Sequence, residues 1–179
     1  MIPVNAPLFN GNEKKYLIEC IETGWVSSEG AFITQFEENM ASYVGRRYAV
    51  ACANGSAALD IAVRSLGLNE GDEVIMPSFT IISCAQSIIT NGLKPVLIDS
   101  DFYTFNVKIK DIEEKITNKT KAIMVVHLYG LTVDIDPILD LAKKYDIKVI
   151  EDAAEMNLQE YKGKKSGIFG SKTKTFSSC

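Results

Sequence analysis

Hydrophobic positions along the 179-residue chain first recur at helical spacing and then gather into short unbroken runs. From Asn12 to Thr23, Tyr16, Leu17 and Cys20 share one helical face with Ile21 beside them, and Gly24 follows as a stop. Ala31 to Val44 repeats the pattern with Phe32, Ile33, Phe36, Met40 and Tyr43, ending at Gly45. After Arg47 the rhythm becomes strand, helix, strand, helix. Tyr48–Cys52 reads as a short buried strand, Ser56–Leu66 as a helix, Glu73–Met76 as a strand closed by Pro77, and Thr80–Thr90 as a helix. Pro95–Asp99, Ala122–Val126 and Lys148–Asp152 read as further strands. Helices are expected over Ile109–Ile116 and Asp136–Tyr145, the latter with Pro137 at its first position. The alternation predicts an α/β fold, a largely parallel central sheet with helices on both faces. In such sheets ligands bind beyond the carboxyl ends of the strands.

Composition narrows this picture without redirecting it. With 46% hydrophobic and 23% charged residues, a chain of this length is expected to bury roughly 70% of its unfolded surface as one domain over residues 1–179. A net charge of −4 leaves no basic surplus, which argues against a nucleic-acid or anionic-membrane partner. The start, Met1-Ile2-Pro3-Val4-Asn5-Ala6-Pro7, has no basic segment followed by a long apolar one, so no signal peptide is expected. The longest apolar run, Tyr48 to Ala53, falls well short of the roughly 20 residues of a membrane span. Cys20, Cys52, Cys84 and Cys179 lie far apart with no CxxC pair, which disfavours zinc and a disulfide framework and favours a reduced, cytoplasmic setting.

Three places at predicted strand ends carry chemistry. In Asn54-Gly55-Ser56-Ala57-Ala58-Leu59, Gly55 permits a tight turn and Ser56 suits a helix start, whose free N–H groups and dipole make a phosphate site. An ordinary Asn-Gly turn and cap reads the same way. Glu151, Asp152 and Glu155 crowd the end of an apolar strand, where a buried acid needs a cationic partner. A protonated pyridine nitrogen is one such partner, a structural ion pair another, and a paired-carboxylate hydrolytic or metal site a third. His127, the one histidine, reads more simply as a hydrogen-bonded core residue than as a ligand. No GxSxG elbow or cysteine nucleophile is apparent.

Six segments in register resemble the DegT/DnrJ/StrS aminotransferases. They are Thr23–Gly30 with Phe36-Glu37, Asn54–Leu59, Gly71–Pro77, Thr120–Ile123, His127–Gly130 and Ile150–Glu155. The likeness runs from Pro3 to about Gly170, and the spelling around Trp25 and of His127-Leu128-Tyr129-Gly130 is closest to perosamine synthetases. It implies the type I aspartate-aminotransferase fold, pyridoxal 5′-phosphate (PLP) as cofactor, and amination of a nucleotide-linked keto sugar, usually from glutamate, for surface polysaccharide such as O-antigen. Residues 1–46 would then be a helical arm with a substrate loop and 47–179 part of the PLP-binding large domain, without the small C-terminal domain.

The resemblance also assigns residues. Gly55, Ser56 and Ser177 would hold the PLP phosphate, and Asp152 would pair with the pyridinium nitrogen. Glu155 would lie near the ring oxygen or the substrate amine. Trp25, Ser27 and Ser28 would line the sugar-nucleotide side of a site shared within a homodimer. Where relatives stack an aromatic on the PLP ring this chain has Ile81, for which Phe79 would compensate. The family's Schiff-base lysine follows the Phe-Ser pair, whereas this sequence ends at Ser178-Cys179, and Lys172 and Lys174 precede the pair. On that reading the chain stops before its catalytic residue and is an inactive, truncated form, with no catalytic residue present. A PLP-dependent sugar dehydratase on the same scaffold, and a non-catalytic remnant binding PLP or a partner, are the alternatives.

Overall fold

Continuous apolar strands need cover on two faces, and the chain supplies it with helices of opposite placement. The structure is a computed structural model that describes residues 2–3, 6–156, 159–165, 167–169 and 174–176. The chain divides into two compact units, Met1–Ala51 and Cys52–Cys179.

In the first unit, α1 (Glu13–Thr23) ends on Gly24, whose φ of 74° lets its N–H cap the Ile21 carbonyl. α2 (Ala31–Tyr43) follows, and Phe32 packs on Tyr16 with ring centroids 5.1 Å apart. The expected strand over Tyr48–Cys52 does not form. Tyr48 and Val50 are each 73% exposed, and the Ala51 N–H donates to the Glu37 carboxylate at 2.8 Å, a side-chain bond where a ladder bond was expected.

The second unit opens with α3 (Gly55–Arg64) and then alternates β1 (Glu73–Pro77), α4 (Ile82–Thr90) and β2 (Lys94–Ile98). A 3-10 turn (Ile109–Asp111) leads into the single-turn α5 (Ile112–Lys115), then β3 (Thr120–Val126), α6 (Ile135–Lys144) and β4 (Lys148–Asp152). A small antiparallel pair, β5 (Glu160–Tyr161) and β6 (Lys164–Lys165), precedes β7 (Lys174–Phe176). Most boundaries lie within two residues of expectation. α6 starts at Ile135, so Pro137 is its third residue rather than its first, still among the donors no helical carbonyl needs. β7 and the β5–β6 pair are additions that the apolar pattern did not signal.

The five long-range strands are all parallel, in the order β2-β1-β3-β4-β7. Alternation sorts their side chains. Val74, Met76, Ala122, Met124, Val126 and Ile150 pack with α3 and α4 through Leu59, Val63, Cys84 and Ile88. Ile75, Ile123, Val125 and Val149 pack on the other face with Ile112, Ile135, Ile138 and Ala142 of α5 and α6. Among the described residues no helix is long and apolar enough to cross a membrane. In urea denaturation, Ile75→Ala or Ile123→Ala should lower stability by about 2–5 kcal/mol. The same change at exposed Ile82 should stay within about 0.5 kcal/mol.

Candidate active site

Strand order fixes where a ligand can enter. The chain steps from β1 outward to β2, then returns across β1 to β3, so winding reverses between β1 and β3. A crevice outside the carboxyl ends of the strands is expected there. A cavity of about 250 Å³ lies at that place. Its walls come from the start of α3 (Gly55, Ser56, Leu59), the segment after β1 (Thr80, Ile81, Ser83), the end of β3 (Val126, His127, Leu128) and the end of β4 (Asp152, Ala154, Glu155).

One wall is built to hold an anion. Asn54 is extended, with φ −166°, and its side chain accepts the Ala57 N–H at 2.9 Å. Its carbonyl takes the Ala58 N–H. Capping thus uses the third and fourth donors of α3 and leaves the Gly55 and Ser56 N–H groups without partners among the described residues, at the positive end of the helix dipole. The Ser56 and Ser83 hydroxyls are 2.7 Å apart and hydrogen-bonded to each other, so one hydroxyl from each of two helices stands beside those amides.

The opposite wall is anionic. Asp152 is only 4% exposed. Oδ1 accepts the Ala154 N–H at 3.1 Å, and Oδ2 faces only the Cys84 thiol, at 3.6 Å. Among the described residues no lysine or arginine pairs with it. Burial pushes its carboxyl above the ordinary range, partly offset by those two donors. Glu155 closes the mouth: its carboxylate accepts the Tyr129 N–H at 2.5 Å. That N–H belongs to a type I′ turn, Leu128–Leu131, whose central residues Tyr129 and Gly130 have φ of 50° and 80°. Buried Asn106 spans the turn, donating to the Leu131 carbonyl and accepting the Leu128 N–H.

His127 and Glu151 point to the other face of the sheet, as alternation requires. The Val133 N–H donates to Nδ1 at 3.1 Å, which places the ring proton on Nε2, 3.0 Å from the Glu151 carboxylate. Glu151, fully buried, also accepts the Gly167 and Phe169 N–H groups at 2.7 and 3.3 Å. The expected core role of His127 matches this geometry.

Residues 8–178 match the model of the DegT/DnrJ/EryC1/StrS aminotransferase family. The chain belongs to that family. It is 50% identical over 169 residues to GDP-perosamine synthase of Caulobacter vibrioides, covering 94% of this chain and 46% of that one. Among solved structures, the aminotransferase from Psychrobacter cryohalolentis superposes with a TM-score of 0.84 at 35% identity, over 92% of this chain and 42% of that one. The Escherichia coli GDP-4-keto-6-deoxy-D-mannose-3-dehydratase with bound hydrated PLP gives 0.87 at 28% identity, over 94% and 44%. The chain thus spans just under half the length of these relatives.

Of the residues singled out from the sequence, Gly55, Ser56, Asp152 and Glu155 line this one cavity. Phe79 does not line it. Its ring packs against Phe105 instead, centroids 5.7 Å apart, and Ile81 takes the place on the wall. The reason is local: residues 78–80 form a bend after β1 and Ile81 is extended just before α4, so Thr80 and Ile81 both reach the wall while the Phe79 ring turns to Phe105. Trp25, Ser27 and Ser28 are exposed in the first unit, and Ser177 lies outside the described residues. Thr80, Ser83 and Cys84 escaped the sequence reading. The signal for them was the distance from β1, since the first turn after a parallel strand faces the crevice.

Two substitutions test this electrostatic layout. His127→Leu leaves Glu151 buried with one donor fewer and should cost about 1–3 kcal/mol in urea denaturation. Asp152→Asn should act oppositely on the ligand-free chain. Ionising Asp152 costs more folded than unfolded, so stability is lost as pH rises from its ordinary value of 3.8 through the raised one. At pH 7 the Asn variant should melt about 2–4 °C higher, and the gain should vanish below pH 3.8.

Proposed function

We propose that this pocket is the PLP site of an aminotransferase acting on a nucleotide-linked keto sugar, in the manner of a GDP-perosamine synthase with glutamate as donor. The carrying observation is a buried carboxylate that no lysine or arginine among the described residues pairs with, 250 Å³ of space and an amide-lined anion cradle on the facing wall. These fit an aromatic cation with a phosphate arm. Gly55 and Ser56 would hold the phosphate, with Ser177 expected beside them, and Asp152 would pair with the ring nitrogen. Ile81 would pack on the ring, and Glu155 would meet the ring oxygen or the incoming amine. PLP supplies an electron sink that carries an amino group between two carbon skeletons. Within this chain, Asp152 keeps the ring nitrogen protonated, the helix start fixes the phosphate, and Ile81 and Leu59 keep water from one side. No lysine of residues 1–179 is assigned the proton-transfer role.

Trp25, Ser27 and Ser28 are proposed for the sugar-nucleotide side. Ile61, Ile82 and Ile89 are exposed on α3 and α4, which supports a homodimer that covers them. No disulfide links the described cysteines, in keeping with a reducing, cytoplasmic setting. Synthesis of an amino sugar for surface polysaccharide is the role this reading gives. The 50% identity to a perosamine synthase, against 28% to a dehydratase, favours amination over loss of a hydroxyl.

Titration of the chain with PLP should give saturable binding by absorbance. Ser56→Ala should weaken it about fivefold, while leaving pyridoxal, which lacks the phosphate, unaffected. Asp152→Asn should weaken both more than about tenfold. Equal affinity for PLP across the parent and both variants would sink the assignment. In the protein to which these residues belong, glutamate and the GDP-linked 4-keto sugar should yield an aminated product by mass spectrometry. A deoxygenated, unaminated product would establish the dehydratase instead.

A further inference from the structure

A carboxylate that must stay ionised while buried needs donors, and Asp152 has one from an unexpected source. Cys84 is the third residue of α4, fully buried under the pocket wall on the α3–α4 face of the sheet. Alternation along β4 turns Asp152 toward the same face. The Cys84 sulfur stands 3.6 Å from Asp152 Oδ2 and 3.4 Å from the Thr80 hydroxyl. Thr80 itself lines the cavity.

Directions follow from the chemistry. Ionised Asp152 can only accept, so the thiol proton points to Oδ2. The sulfur then has its lone pairs for the Thr80 hydroxyl, which donates to it. The result is a directed series, Thr80 to Cys84 to Asp152, ending on the one carboxylate oxygen that has no backbone donor. We propose that Cys84 is a positioning residue of the pocket, whose thiol, ordered by Thr80, orients the Asp152 carboxylate and keeps it ionised for a cationic ring. Its own chemistry is quiet: burial pushes the thiol up to about 12, so it stays protonated as a donor rather than reacting as a thiolate.

Neighbouring charges do not replace this contact. His127 donates its ring proton to Glu151, and Glu155 is engaged by the Tyr129 N–H. On Oδ2 the thiol is therefore the sole donor among the described residues. As a bond to a charged acceptor it should be worth more than a thiol usually is.

The inference rests on PLP occupying this pocket, so the test separates the two. In the ligand-free chain, the Asp152 carboxyl is titrated by carbon-13 NMR in the parent, Cys84→Ala and Cys84→Ser. The midpoint should rise when the donor is removed and return toward the parent value with serine, which keeps one. Should Cys84→Ala not fold, Cys84→Val, similar in volume and without a donor, takes its place. PLP affinity should fall about threefold in Cys84→Ala or Cys84→Val and recover at least in part in Cys84→Ser. A midpoint unmoved by any variant, or moved equally by alanine and serine, overturns the role of the thiol whatever PLP does. PLP affinity unchanged by Ser56→Ala and Asp152→Asn overturns the pocket reading, while the ligand-free titration still decides for or against the thiol.

Discussion

Burying a carboxylate without compensation costs several kcal/mol, and β4 buries two in succession. Glu151 and Asp152 leave opposite faces of the sheet, and their surroundings are arranged in opposite ways. Glu151 collects the His127 ring and the amides of Gly167 and Phe169, a set that saturates it. Among the described residues Asp152 receives one amide and a thiol, less than a buried charge requires. The first arrangement ties the end of β3 to the segment that leads toward β7. The second leaves a buried carboxylate facing a cavity, the place proposed for a cationic ring. Structure is held on one face and recognition prepared on the other.

The parallel register makes this possible, because it delivers Val126 and Asp152 side by side at one end of the sheet. Glycine and a positive φ are needed at few points near the site. Gly130 is one, where the Tyr129-Gly130 turn brings a backbone donor to Glu155 while Asn106 holds the turn from below. Each piece comes from a separate stretch of chain, after β1, β3 and β4, so the site exists only once the sheet has assembled.

Much of this was legible in the residues. Short apolar clusters between turn signals located β1 to β4, since the strands buried on both faces, β1 and β3 above all, carry little else. Gly55, Ser56, Asp152 and Glu155 could be picked out because each stands where a strand meets its loop. The Tyr48–Cys52 run misled because apolarity alone does not supply a neighbouring ladder, and Glu37 supplied a side-chain acceptor. Phe79 misled because the bend over residues 78–80 turns its ring toward Phe105, a change of direction that the residue types there do not announce. β5 and β6 left no apolar trace: their two-residue strands hold through Tyr161 and Lys162, which bond the Asp134 and Asp136 carboxylates at the start of α6. Ser83 and Cys84 were hidden because small polar residues in a helix look the same whether or not they line a cavity.

The opposed directions of Glu151 and Asp152 also bear on how the chain finds its pairing. Side chains in a strand alternate with period two, so a slip of β4 by one residue against β3 would exchange their faces. Glu151 would then meet the apolar floor formed by Val63, Cys84 and Ile88, and the amides of Gly167 and Phe169 would lose their acceptor. Such a misaligned sheet would carry two stranded charges at once. The adjacent acids thus act as a built-in check on alignment during folding, penalising the nearest wrong pairing far more than a run of valines and isoleucines could.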